Sequence, residues 1–205
     1  MTARGRFITL EGIDGAGKST HVASIVAALQ ARGVRVVATR EPGGTPLGEK
    51  MRELLLHEPM HPETEALLMF AARREHIAQV IQPALERGDW VVCDRFTDAT
   101  YAYQGAGRAI GAGRIDTLAR WVHPDLDPDV TFLFDVGTAE ARRRLERSNE
   151  HPDRFEREAQ QFFTVVRDAY LARAAADPKR VRVVDTSRPL ADVRDEVASI
   201  VARID

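Results

Sequence analysis

Five short apolar runs punctuate the chain: Phe7–Leu10, Val34–Ala38, Trp90–Cys93, Val130–Asp135 and Val181–Val184. Several are too uniformly apolar to present one face to water, the mark of strands buried on both faces of a parallel sheet. Longer helical patterns separate them, near 18–32, 46–56, 63–87, 97–104, 113–122, 138–148, 155–176 and 189–204. Gly33 follows the first as a C-cap. Phe155, Phe162, Val166 and Tyr170 are spaced to share one face of the long late helix, a core-packing stripe. Strands alternating with helices predict a doubly wound α/β sheet. Two polar connections, 40–48 and 148–153, are the candidate functional loops.

Composition narrows the class without naming a function. A chain of 205 residues suits one domain with a full core. Its 44% hydrophobic and 29% charged residues are ordinary for a soluble globular protein. A formal charge of −2 argues against a nucleic-acid surface and for a small anionic ligand at a local site. Cys93, the single cysteine, excludes an internal disulfide and reads as a small buried apolar residue. No stretch approaches the roughly 18 apolar residues of a membrane span, and the N-terminus lacks a signal-peptide core, so a cytoplasmic location is expected.

Chemistry first appears at residues 12–19, G-I-D-G-A-G-K-S, which match the phosphate-binding loop G-x-x-x-x-G-K-[ST] between a strand and a helix. Gly12, Gly15 and Gly17 let backbone N–H groups converge on phosphate oxygens. The helix N-terminus adds partial positive charge. Lys18 is expected to reach the β- and γ-phosphates, and Ser19 to ligate Mg²⁺. Ile13, Asp14, Ala16 and Thr20 complete the ATP-binding segment. The loop implies nucleoside triphosphate binding and leaves the phosphate acceptor open.

Asp94 ends an apolar run where a carboxylate can also hold Mg²⁺, and Arg95 beside it suits a second phosphate. No N-K-x-D guanine-reading motif occurs, which argues against a GTPase. Arg142, Arg143, Arg144 and Arg147 end one helix, and Arg154 opens the next segment. Phosphoryl transfer relies on charge stabilisation, so this region, around 142–156, is expected to be a mobile lid. A kinase acting on a small acceptor is the leading reading; a P-loop switch or ATPase is the rival.

An ordered set of segments resembles bacterial thymidylate kinases: E-G-I-D-G-A-G-K-S-T at 11–20, T-R-E-P-G-G-T at 39–45, F-A-A-R-R-E-H at 70–76, D-R-F at 94–96, A-Y-Q-G-A-G-R at 102–108 and D-R-F-E at 153–156. The resemblance spans essentially the whole chain. It implies a P-loop NTPase-like, three-layer α/β fold with a five-stranded parallel sheet flanked by helices, and transfer of the ATP γ-phosphoryl to dTMP. By resemblance, Asp14 approaches the sugar 3′-hydroxyl, and Arg52 and Arg95 clamp the acceptor phosphate. Phe70 stacks on thymine, Arg73 reads its edge, Thr100 and Gln104 contact the base, and Tyr103 crowds the 2′ position.

Phe70 has arginines at both +3 and +4, Arg73 and Arg74, and choosing Arg73 puts Met69 at the usual phenylalanine position. Gly15 stands where some relatives carry an arginine, which resembles the lid-arginine type, with Arg154 and Arg147 catalytic. Arg142 and D-T-S-R at 185–188 are candidates for adenine contacts. The family resemblance also implies a homodimer, and the long helix 63–87 is a candidate for part of its interface. A kinase for another monophosphate or a deoxynucleoside is the alternative.

Overall fold

The computed structural model describes residues 4–148 and 153–204. Five strands form one parallel sheet: β1 (Phe7–Glu11), β2 (Val36–Arg40), β3 (Trp90–Asp94), β4 (Val130–Asp135) and β5 (Val181–Asp185), in the order β2-β3-β1-β4-β5. β1 is fully buried and β3 and β4 nearly so. β2 and β5 are more exposed, because they are the edges and lack a neighbour on one side.

Alternation along the strands feeds two cores. Ile8, Leu10, Val92, Phe132 and Phe134 face one side, against α1 (Lys18–Ala31), α8 (Gln160–Ala176) and α9 (Leu190–Val201). Phe7, Val91 and Cys93 face the other, against α3 (Pro62–His76), α4 (Gln82–Glu86) and α6 (Ala112–Val122). The three-layer expectation is met. β1 has β3 on one side and β4 on the other, so the chain winds away in both directions from its C-terminal end. Ligands bind at such a switch point in open α/β sheets.

The remaining helices are α2 (Pro46–His57), α5 (Thr97–Thr100) and α7 (Thr138–Ser148). Thr45 caps α2 by accepting from the Gly48 N–H at 2.9 Å, ahead of Pro46 at a position that needs no donor. Gly33 adopts φ 78° and ends α1, as the sequence implies.

Three expectations change. The span 63–87 is not one uniform helix: a π-helical turn, Ile77–Ile81, separates α3 from α4. It lies just before Pro83, which has no N–H to donate and crowds the preceding turn. After α5, a second π-helical segment, Tyr101–Gly107, replaces the expected α-helical continuation to 104. The late helix begins at Gln160, so Phe155 does not belong to its stripe. Asp153 Oδ1 accepts the N–H groups of Phe155 and Glu156 at 2.8 and 2.9 Å, while Glu156 caps the Asp153 N–H at 3.0 Å. That closed turn delivers Phe155 to the core on its own.

Candidate active site

The loop after β1 is shaped by its glycines. Gly12 has φ 134°, and a Cβ there would meet the Phe134 carbonyl at 2.3 Å. Gly15 has φ 80°, and its Cβ would meet the Ala141 carbonyl at 2.3 Å. Only glycine fits either position. Lys18 folds over the loop, donating to the Gly12 and Ile13 carbonyls at 3.0 and 3.1 Å. Burial, reinforced by Arg95, lowers the Lys18 ammonium to about 8 against the pull of Asp14 and Asp94. Ser19 and Thr20 are exposed in the first turn of α1.

Asp94 pairs in register with Leu10 at the end of β3, next to the strand that feeds the loop. Its Oδ1 is shut off from solvent and lacks a hydrogen-bond partner among the described residues. Such an orphaned carboxylate oxygen wants a cation or water. No cluster of three or more carboxylate, imidazole or thiolate groups surrounds it among the described residues. Mg²⁺ suits this donor set, because it takes most of its ligands from phosphates and water.

Arg95 has φ 73°, a left-handed backbone uncommon for a side-chain-bearing residue. Its guanidinium donates to the Gly12 carbonyl and the Tyr170 hydroxyl, both at 3.0 Å, to Asp14 Oδ1 at 2.5 Å and to the Tyr103 hydroxyl at 3.2 Å. Tyr103 donates in turn to Asp14 Oδ2 at 2.8 Å. Burial would raise Asp14, but Arg95, Lys18 and Tyr103 outweigh it and hold the carboxyl at about 2. Asp14 is therefore an anion at any physiological pH.

From Asp14 and Arg95 a cavity runs to Arg73, past Arg52, Met69, Thr100, Tyr103 and Gln104. Arg52 donates to the Pro42 carbonyl at 3.0 Å, beyond the cis Glu41–Pro42 peptide. Arg73 donates from Nε to Glu41 at 2.7 Å, and from Nη2 to the Phe96 carbonyl and Thr100 hydroxyl at 3.1 and 3.0 Å. Its Nη1 is buried and lacks a partner among the described residues. Arg74 instead donates to the Val122 carbonyl at 2.9 Å and does not line the cavity. Of the two arginines left open by the sequence, Arg73 lines the cavity and Arg74 does not.

Phe70 is placed differently from the expectation. It is 2% exposed, lies in the core with its ring 4.8 Å from the Arg73 guanidinium, and does not line the cavity. Neighbouring positions on a helix point about 100° apart, and it is Met69 that lines the cavity, together with Phe96 and Phe155.

The two expected lid arginines, Arg154 and Arg147, do not line the acceptor cavity. Arg154 pairs with Glu65 at 2.7 Å and donates to the Leu55 carbonyl at 2.9 Å, outside the acceptor cavity. Glu65, fully buried, is also bound by Gln104 at 2.7 Å and by Arg108. Arg147 is exposed in the last turn of α7 and does not line that cavity either. Residues 149–152 of the expected lid lie outside the described residues. Arg142 lines a second cleft with Asp14, Thr138 and Arg157. Arg144, rather than Arg142, donates to the Thr186 carbonyl at 2.9 Å, while the Thr186 hydroxyl donates to the Ala16 carbonyl at 3.0 Å. The 185–188 segment thus abuts the phosphate loop.

A family model described as thymidylate kinase matches residues 10–197. The chain belongs to the thymidylate kinase family. It is 62% identical over 197 residues to a thymidylate kinase of Methylobacillus flagellatus, covering 96% of this chain and 97% of that protein. It is 63% identical over 204 residues to one from Bordetella pertussis, covering 100% and 98%. A crystal structure of thymidylate kinase from Ehrlichia chaffeensis superposes with a TM-score of 0.79 at 36% identity, over 97% of this chain and 99% of that one. Family membership makes the protein a nucleoside monophosphate kinase that phosphorylates dTMP. Among the described residues, no helix is long and apolar enough to cross a membrane.

Proposed function

We propose that Mg²⁺·ATP, held on residues 12–20, is the donor for dTMP bound in the Asp14–Arg73 cavity. One observation carries this reading: a single cavity joins two phosphate-suited groups, Arg95 and Arg52, to a buried Arg73 with an unpartnered Nη1. That polarity matches a nucleotide lying with its phosphate toward the P-loop and its base toward Arg73. Lys18 and the loop N–H groups cradle the triphosphate. Ser19 and Asp94 are the residues that would hold Mg²⁺, which would supply charge neutralisation for the phosphoryl group in transfer.

Arg95 and Arg52 clamp the acceptor phosphate, Asp14 accepts from the 3′-hydroxyl, and Tyr103 excludes a 2′-hydroxyl. Arg73, Thr100 and Gln104 bond the base edge. Met69 and Phe96 supply the apolar contact first expected of Phe70. An oxygen of the dTMP phosphate attacks the γ-phosphorus in line, the bond to the β,γ-bridging oxygen breaks, and ADP leaves. The attacking phosphate is already anionic, so no strong base is required. Arg154 and Arg147 reach the transferring group when the 142–156 lid closes, which requires Arg154 to release Glu65.

The protein works as a cytoplasmic homodimer in this reading. Leu54 on α2, Leu67 on α3 and Trp121 on α6 are exposed on adjoining helices and suit a self-complementary face.

A coupled ADP-release assay with dTMP, dUMP, dCMP, dAMP, dGMP and thymidine tests the acceptor cavity, with dTMP expected to have the highest kcat/KM. A Mg²⁺ titration of Asp94→Asn is expected to show a raised Mg²⁺ requirement. An unchanged requirement would remove Asp94 from the metal site.

A further inference from the structure

Arg95 is held along two different edges. Its Nη2 bonds Asp14 and Tyr103, both of which line the acceptor cavity. Its Nη1 bonds the Gly12 carbonyl and Tyr170, neither of which lines it. The guanidinium thus has an outer edge toward the cavity and an inner edge turned into the protein.

The inner edge rests on a built support. Tyr170 is 3% exposed on α8, in the buried row Val166, Tyr170, Ala174. Its hydroxyl lies 2.8 Å from Glu11 Oε2 and donates to it. The one hydroxyl proton is then committed to Glu11, so the oxygen faces Arg95 as an acceptor. Glu11 is 0% exposed, and its Oε1 accepts the Phe96 N–H at 2.7 Å. One carboxylate therefore fixes both the backbone just after Arg95 and the hydroxyl against its side chain. Arg95 has a left-handed backbone and a long side chain with many rotamers, so it needs such restraint to hold one orientation.

We propose that Tyr170, oriented by Glu11, is a positioning residue that pins the inner edge of Arg95 and so fixes the orientation in which the guanidinium meets the acceptor phosphate. This rests on the reading of Arg95 as a phosphate clamp. Tyr170 does not line the acceptor cavity. It acts through Arg95, and it couples α8, the helix after the lid, to the phosphate loop.

Tyr170→Phe keeps the buried ring and removes only the hydroxyl. Steady-state kinetics with dTMP and ATP varied separately, in wild type, Tyr170→Phe, Arg95→Ala and the double variant, give the test. The single Tyr170→Phe change is expected to raise KM for dTMP about tenfold, the scale of one hydrogen bond to a charged group. KM for ATP is expected to stay within about twofold. In the Arg95→Ala background, Tyr170→Phe is expected to cause no further loss in kcat/KM for dTMP, because the group it positions is gone. A structural role would instead lower Tm and activity by similar factors in both backgrounds. If Arg95→Ala raises KM for dTMP and the double variant is additive, the positioning role is overturned while the clamp stands. If Arg95→Ala leaves KM for dTMP unchanged, the clamp falls and the positioning role with it.

Discussion

Asp14 and Arg95 meet at 2.5 Å, one from the phosphate loop and one from the end of β3. The pair places a permanent anion and a permanent cation at the junction of the triphosphate loop and the acceptor cavity. Asp14→Asn keeps the size of the side chain but removes the charge. It is expected to raise KM for dTMP by about tenfold or more, on the scale of a charge-assisted hydrogen bond. Initial rates at saturating ATP check this.

Arg73 and Arg74 separate by their surroundings. Arg73→Lys loses the planar fork that reaches Glu41, Thr100 and the cavity together, and kcat/KM for dTMP is expected to fall about 10- to 100-fold. Arg74→Lys, altering a bond to the Val122 carbonyl, is expected to change it less than about threefold. Parallel kinetics on the two variants give the answer.

Phe70 and Met69 are expected to fail in different ways. Phe70→Leu opens a buried site and is expected to cost about 1–2 kcal/mol of stability with little change in KM for dTMP. Met69→Ala removes a cavity wall and is expected to raise KM for dTMP with a smaller loss of stability. Urea unfolding paired with kinetics distinguishes the two.

Burial, then Asp98, pushes Glu11 from 4.5 up to about 7, against Arg95, the Phe96 N–H and Tyr170. A carboxyl raised on folding contributes stability that is fully present below its unfolded value and is lost as pH rises through its folded value. That loss falls between about pH 4.5 and pH 7. Glu11→Gln cannot ionise, so its Tm relative to wild type is expected to rise across this window. Thermal melts at pH 5 and at pH 8 provide the comparison, and a constant difference would count against an ionising Glu11.

Arg154→Ala is expected to lower kcat by about 10²–10³-fold while KM for dTMP changes less than about threefold, since its charge would act chiefly in the transition state. Equal losses in kcat and dTMP affinity would remove it from the transferring group.

Much of this was legible in the sequence. The apolar runs located all five strands within two residues at each end: the three central strands are buried and carry few polar positions to blur the signal, and the exposed edge strands β2 and β5 still keep short valine-rich runs. The phosphate loop was legible because its glycines serve backbone geometry and leave a fixed spacing. The phase of α3 was not: adjacent Met69 and Phe70 compete for one face, and docking against α2 and α6 decides between them. Glu41 and Glu65 were missed because a buried carboxylate reads as ordinary surface charge until its partners are found. Tyr170 was read as a core aromatic, which it is; periodicity says nothing about where a hydroxyl points.

The π-helical segment Tyr101–Gly107 carries Tyr103 to Asp14 and its neighbour Gln104 to Glu65. Winding i→i+5 gives this turn one residue more than an α-helical turn would hold. A deletion of one residue here could yield a more regular helix, yet it would rotate every later side chain of the segment away from its target. If Tyr103 and Gln104 read the nucleotide as proposed, part of that specificity is written in how many residues the turn contains, and comparisons between relatives that tolerate gaps in this stretch would overlook it.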